Sequence, residues 1–299
     1  MPNEQQNVRS YDGPQDAGTS ARADIVEQRV VQHYSRTGLD EIIIKALVAS
    51  GKDPGRVARS DLSPVDEFHS AGQQATVEFA EQVNFASGMH ILDVGCGIGG
   101  PSRFFAAARN CRVTGIDLTD DYVETARSLA RLVGLDDRVS YRRASALAMP
   151  FEAGTFDGAY MMHVGMNIED KPTLFVEIRR VLKSGAQFAV FDIMRTGTGD
   201  LHYPLHWAAT SETSFVVGAA QYRDALQAAG FEIIRERDRG DFARAFFREV
   251  TARADKQSEP PPLGIHILMK DNVPQKLANV VSGLEDGVIA PTEIVARAC

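Results

Sequence analysis

The stretch HILDVGCGIGG, residues 90–100, constrains this chain more than any other. An apolar run ends at Asp93, and glycines follow at positions 95, 97, 99 and 100. Gly95, Gly97 and Gly100 satisfy the spacing G-x-G-x-x-G, which serves a tight turn, a close backbone approach to a ligand and a helix N-terminus beyond it. The spacing alone is weak evidence, and its flanks give it weight. MHILDVG reads as a strand and GGPSRFFAAAR as a helix, so the glycines sit where a strand hands over to a helix.

The alternation continues downstream. CRVTGIDL, RVSYRRA, FDGAYMMHV, AQFAVFDIM and FEIIRERD read as strands, with helical segments such as DDYVETARSLARLVG and KPTLFVEIRRVLK between them. VIAPTEIVARA reads as a last, antiparallel strand closing the sheet. This order predicts an α/β fold: a doubly wound, Rossmann-like sheet of seven strands, mostly parallel, with helices on both faces and helical cap elements.

Four regions are expected. Residues 1–24 are polar and read as a disordered leader. Residues 25–86 form N-terminal cap helices. Among them SPVDEFHSAGQQATVEFAEQV reads as one helix, with Ser63 as N-cap and Pro64 at the first helical position. Residues 87–195 are the cofactor-binding core. Residues 196–299 supply a substrate loop, RTGTGDLHYPLHWAATSETSF, further cap helices and the remaining strands.

Two carboxylates address the ligand. Asp117 ends the second strand, 20 residues beyond Gly97, where a carboxylate accepts the hydroxyls of an adenosine ribose. Asp117 fits NAD and S-adenosylmethionine equally. Asp93 separates them. A carboxylate at the mouth of the first strand repels a pyrophosphate and attracts a sulfonium and an ammonium. The loop therefore points to a cationic cofactor, with Cys96 as a small filler whose backbone matters.

ILDVGCGIGGPSR, VTGIDLT and SALAMPFEAGTFDGAYMMHV together resemble the motifs of class I S-adenosylmethionine-dependent methyltransferases, over about residues 75–195. That resemblance implies a glycine loop around the methionine end (Gly95, Cys96, Gly97 and Gly99), Asp117 on the ribose and Leu118 beside the adenine. Many relatives carry an aspartate for the adenine amino group where Ser145 stands; here the backbone of Ala146 and Leu147 is expected to hold the base. Gln73 is a further cofactor candidate. HYSRTGL, PVDEFHSAG, HVGMNIEDK, LHYPLHWA and PPLGIHILM are similar to a bacterial group of sarcosine/dimethylglycine N-methyltransferase-like proteins, over about residues 28–296. This implies N-methylation of a small amine or amino acid, with S-adenosylhomocysteine as product. Relatives often have Gln where Met162 stands.

Catalytic candidates are His163, after the fourth strand; His69, one helical turn before Gln73; Tyr34, in a lid helix; and His206. Substrate candidates are His163, His202, Tyr203 and Trp207, whose aromatic rings suit a cationic amine, together with His266. Arg36 and Arg195 are the candidates for an acceptor carboxylate. A tertiary amine needs only to arrive deprotonated, whereas a hydroxyl needs a base near neutral pH. The rivals are therefore an O- or C-methyltransferase with a histidine base and a cofactor-binding protein without turnover.

Composition narrows the partners. The 40 acidic residues outnumber the 32 basic ones, giving a net charge of −8, which argues against nucleic acid. No apolar run is long enough to span a bilayer, and the N-terminus lacks the apolar segment of a secretory signal. Cys96, Cys111 and Cys299 have no metal-ligand spacing and suit a reducing compartment. The expectation is a cytoplasmic protein acting on a small molecule without metal, nucleic acid or membrane, with its oligomeric state left open.

Overall fold

The computed structural model describes residues 17–254 and 261–299. Its sheet has seven strands: β1 (His90–Val94), β2 (Arg112–Asp117), β3 (Val139–Arg143), β4 (Phe156–Met162), β5 (Leu182–Arg195), β6 (Phe231–Asp238) and β7 (Ile289–Ala298). They lie in the order β3-β2-β1-β4-β5-β7-β6. The first five pair in parallel, and β7 runs antiparallel to both β5 and β6. The closing strand thus enters between β5 and β6 rather than taking the edge. Its residues explain the placement: every position of β7 except Arg297 is buried, as a strand covered on both faces requires.

Successive side chains of each strand serve opposite cores. Ile91 joins Phe79, Phe105, Ala126 and Tyr160 on one face. Leu92 and Val94 join Phe175, Ile178, Tyr222 and Leu226 on the other. The helices on these faces include α5 (Gly100–Arg109), α6 (Asp120–Leu132), α7 (Lys171–Val181) and α8 (Ala219–Ala228). The helical face of α6 shows the period plainly, with Tyr122, Val123, Ala126, Leu129 and Ala130 buried.

Helices α1 (Ala17–Tyr34), α2 (Leu39–Ala49), α3 (Arg59–Asp66) and α4 (Gly72–Ala80) precede the sheet. Helix α1 begins at Ala17, so residues 17–24 of the expected leader belong to a helix; residues 1–16 lie outside the described residues. The expected single helix from Ser63 is two. Helix α3 starts at Arg59, where Asp61 Oδ2 accepts the Ala58 N–H at 2.9 Å, and Pro64 falls inside it. The chain then breaks over residues 67–71, with Ala71 and Gly72 both at positive φ.

The cause of the break lies in the core. Arg103 of α5 is fully buried, and its guanidinium meets the Asp66 carboxylate at 2.5 Å. A Cβ on Gly100 would lie 2.3 Å from the Asp66 carbonyl oxygen, so only glycine lets the two chains approach this closely. Helix α3 is pinned at its last residue, and the loop after it swings over the sheet's carboxyl edge. The last cap elements are α9 (Gly240–Ala254), α10 (His266–Met269) and α11 (Val273–Glu285). Among the described residues, no helix is long and apolar enough to cross a membrane.

Candidate active site

A cavity of about 730 Å³ opens at the carboxyl ends of β1, β2 and β4. Ligands of open α/β sheets sit in such a crevice. Its walls come from the glycine loop, the loop 67–71, helix α1, the segment after β4, His206 and Leu268 of α10.

The end below the glycine loop is built from neighbours in sequence. Gly95 and Cys96 both donate their N–H to the Ile116 carbonyl, at 2.8 and 2.9 Å, which folds the loop back over β2. Gly95 has φ of 73°, and a Cβ there would stand 2.4 Å from Val164. Asp117 fixes the turn: Oδ2 accepts the Gly97 N–H and Oδ1 the Thr119 N–H, each at 2.9 Å. Burial raises the Asp117 carboxyl, against those two hydrogen bonds. Each oxygen keeps a further lone pair for a ligand hydroxyl. Asp93 is almost fully buried and accepts from Ser102 at 2.6 Å and Tyr160 at 2.8 Å, both on Oδ2. Burial pushes it up to about 7, with the nearby Asp117 charge adding to the effect. A buried carboxylate with no cation of its own gains from a cationic ligand. Asp93, Gly95, Cys96, Gly97, Asp117, Leu118, Ala146 and Leu147 line the cavity together.

Three cofactor candidates do not. Gly99 caps α5, with its carbonyl taken by Tyr141 and Arg103. Gln73 sits on the first turn of α4, away from the cavity wall, because the helix break turns it from His69. Ser145 faces α1: its Oγ donates to Glu27 and accepts the Leu147 N–H at 3.0 Å. The Leu147 N–H is therefore engaged and not free for an adenine.

The opposite end assembles distant segments. His163 follows β4 with φ of 55° and is held by its N–H on the Phe191 carbonyl at 2.7 Å. His69 stands beside it, ring centroids 5.8 Å apart. Burial drives the His163 imidazole well below its ordinary value. His206 is lowered to about 3 by burial and by its cationic neighbours His33 and Lys276. Its carbonyl accepts from His33 of α1 at 2.9 Å. The Tyr34 hydroxyl donates to Asn167 at 3.0 Å, and burial raises it far above its usual range. His69, His163, His206 and Tyr34 all line the cavity.

The expected aromatic cage is not formed. Trp207 is wholly buried in a core with Leu205, Phe247 and Val280, and its indole N–H donates to Ser214 at 3.0 Å. Tyr203 packs on that same core, and His202 is exposed. His266 lies apart, in a shallow groove with Arg36 and Lys270. A large apolar ring in a long loop served here as the loop's anchor.

Sequence reasoning also missed residues that shape the site. Glu67 is buried and bonded to His69 at 2.9 Å. Treating 63–83 as one helix put these two on different faces, since residues two apart do not meet on a helix. Asn167 ties Tyr34 to the Trp207 and Thr213 carbonyls, at 2.8 and 2.9 Å for the latter pair. No group of three or more metal-ligating side chains gathers among the described residues.

Residues 92–190 match the family model described as "Methyltransferase domain". The sterol 24-C-methyltransferase of Eremothecium gossypii is 34% identical over 168 residues, covering 54% of this chain and 45% of that protein. The chain spans about half the length of the curated relatives it matches, between 45 and 60% for the first three. Phosphoethanolamine N-methyltransferase 2 of Haemonchus contortus, solved with S-adenosyl-L-methionine, shares the fold at a TM-score of 0.69 and 18% identity, over 93% of this chain and 60% of that one. A putative sarcosine dimethylglycine methyltransferase from Galdieria sulphuraria does so at 0.63 and 19%, over 76% and 85%. The sheet order and the matched family model agree: residues 92–190 match a methyltransferase domain, set in a fold shared with solved methyltransferases.

Proposed function

We propose that this chain transfers a methyl group from S-adenosylmethionine to a small molecule with no free carboxylate or phosphate. The observation that carries the reading is a single cavity with two unlike ends: Asp93, Asp117 and the glycine loop at one, neutral histidines at the other. When bound, S-adenosylmethionine supplies an electrophilic methyl on sulfur. In this reading Asp117 accepts the ribose hydroxyls, Asp93 answers the cationic end, and Leu118, Ala146 and Leu147 flank the base. The protein's part in such a displacement is to align the two reactants and exclude water.

The charge balance of the lining selects the acceptor. Arg22 is the one arginine or lysine among the described lining residues, and both oxygens of Glu169 hold it, at 2.7 and 2.9 Å. Arg36 is spent on the Ile267 carbonyl, and Arg195 on the carbonyls of Gly197 and Gly199. An acceptor carboxylate, such as that of sarcosine or dimethylglycine, meets no free arginine or lysine among the described lining residues, and burying one unpaired is costly. A hydroxyl-bearing acceptor fits best. A small amine without an acid group is the second reading, favoured by the carboxylates Glu27, Glu169 and Asp170 on the wall. The test is a mass-spectrometric product assay with S-adenosylmethionine over phenols, aliphatic alcohols, plain amines and amino acids. Methylated phenols or alcohols support the first reading and methylated plain amines the second. Methylated amino acids overturn both. Binding without any product moves the chain to a cofactor-binding role.

A further inference from the structure

The loop 67–71 puts a carboxylate, two imidazoles and a hydroxyl in contact, and they are not equivalent. Glu67 Oε2 receives His69 Nε2 at 2.9 Å and the Thr76 hydroxyl at 2.6 Å. Burial alone pushes the Glu67 carboxyl up, but the hydrogen bonds from His69 and Thr76 counter it, and the carboxyl lies below its ordinary value. An ionised carboxylate only accepts, so His69 carries its proton on Nε2 and leaves the Nδ1 lone pair open. The Ser70 carbonyl stands 3.4 Å from Nδ1 and becomes a partner only when Nδ1 is protonated.

His163 has the reverse arrangement. The Ser70 N–H points at its Nε2 at 3.3 Å, and a backbone N–H can only donate. Nε2 therefore holds the lone pair, and the neutral ring's proton is on Nδ1. That Nδ1 is buried without a hydrogen-bond partner. Nδ1 is thus enclosed by protein and out of a ligand's reach. The rings share Ser70 as a spacer and stand on the wall of one cavity.

We propose that His69, oriented by Glu67, is the general base of the acceptor site, and that His163, whose Nε2 lone pair is taken by the Ser70 N–H, is not a base. The proposal rests on the methyl-transfer reading above and divides the labour within it. As the acceptor oxygen forms its bond to the methyl carbon, its O–H bond breaks and the proton passes to His69 Nδ1. The carbon–sulfur electron pair returns to sulfur, leaving a neutral thioether. The imidazolium that results lies between the Glu67 carboxylate and the Ser70 carbonyl. Glu67 is a positioning residue, since it acts through His69. The titratable groups around the pair are Glu67 itself, Asp66 and Arg59 beside it, and His163 with His206 behind it.

The tautomers are readable without knowing the acceptor. Full-length protein labelled with ¹⁵N-histidine and saturated with S-adenosylhomocysteine is followed by NMR across pH, with His69→Gln and His163→Gln to assign the rings. The expected result is Nε2–H on His69 and Nδ1–H on His163. In Glu67→Gln the preference of His69 for Nε2–H is lost and both tautomers are populated. With a phenol that the product assay shows to be methylated, the same variant loses at least about tenfold in kcat, since its base is weaker. The acid limb of its pH profile shifts to lower pH, and S-adenosylhomocysteine affinity is unchanged. Glu67→Asp recovers part of the rate. An Nε2–H tautomer on His163, or a His69 tautomer and turnover indifferent to Glu67→Gln, overturns the proposal. If Glu67→Gln does not fold, the two tautomers in the unaltered protein decide. Failure to bind S-adenosylhomocysteine counts against the methyl-transfer reading instead, and the rings are then read in the ligand-free protein.

Discussion

The two ends of the cavity are built by different rules. The end under the glycine loop is made from two consecutive strand–loop units, and its contacts span about 20 residues: Asp117 holds Gly97, and Ile116 holds Gly95 and Cys96. The histidine end draws on loop 67–71, the segment after β4, the loop around His206 and helix α1. Its links join residues more than 90 positions apart, as Ser70 does with His163. A local motif preserves its geometry wherever the strand and helix form. A site of distant pieces depends on whatever holds the pieces in register, and here that is the buried Asp66–Arg103 pair.

The comparison breaks most visibly at that joint. Asp66→Ala leaves Arg103 buried without a counter-charge, and the expected loss is about 3–5 kcal/mol of stability, read by denaturant unfolding. A loss under about 1 kcal/mol would mean the two ends are fixed independently. Asp117→Ala acts at one end only. It should weaken S-adenosylhomocysteine binding by about 1.5–3 kcal/mol, the scale of lost charged hydrogen bonds; unchanged calorimetric affinity would remove Asp117 from the site.

Asp93 sharpens the contrast through pH. Its folded-state value of about 7 is raised by burial. A cationic ligand favours the ionised carboxylate, so protons compete with it. Affinity for S-adenosylmethionine should be nearly flat above pH 8 and fall about fivefold between pH 7 and 6. In Asp93→Asn the fall should disappear. A slope that persists in the variant assigns it to another group. The smallest effect belongs to α1. Arg22 and Glu169 are both well exposed, so Arg22→Ala should change cofactor affinity by less than about 1 kcal/mol. A larger loss in the same titration would make α1 a clamp on the ligand rather than a cover.

The same contrast explains what was legible in the sequence. The strand–loop–helix pattern predicts the parallel sheet, and Asp93, Asp117, Gly95 and Gly97 fall on the cavity wall as their spacing implies. The antiparallel strand is recognisable, but its insertion between β5 and β6 follows from burial on both faces, which its apolar residues alone do not announce. At the histidine end, periodicity misleads. SPVDEFHSAGQQATVEF has helical spacing throughout, and only the approach of Gly100 to Asp66 breaks it into two helices. That break brings Glu67 to His69 and turns Gln73 away. Trp207 shows the converse: a lone aromatic in a long loop is equally a ligand cage and an anchor by sequence, and packing with Leu205 and Val280 makes it the anchor. Ser145 is a third case, since its partner Glu27 lies 118 residues away on α1.

In the proposed reading, the paired carboxylates make this a site for a cationic, phosphate-free cofactor. Isothermal titration of the unaltered protein with S-adenosylmethionine and, separately, with NAD tests it most directly. The account predicts saturable binding of S-adenosylmethionine and none of NAD. Binding of NAD, or of neither compound, would contradict it.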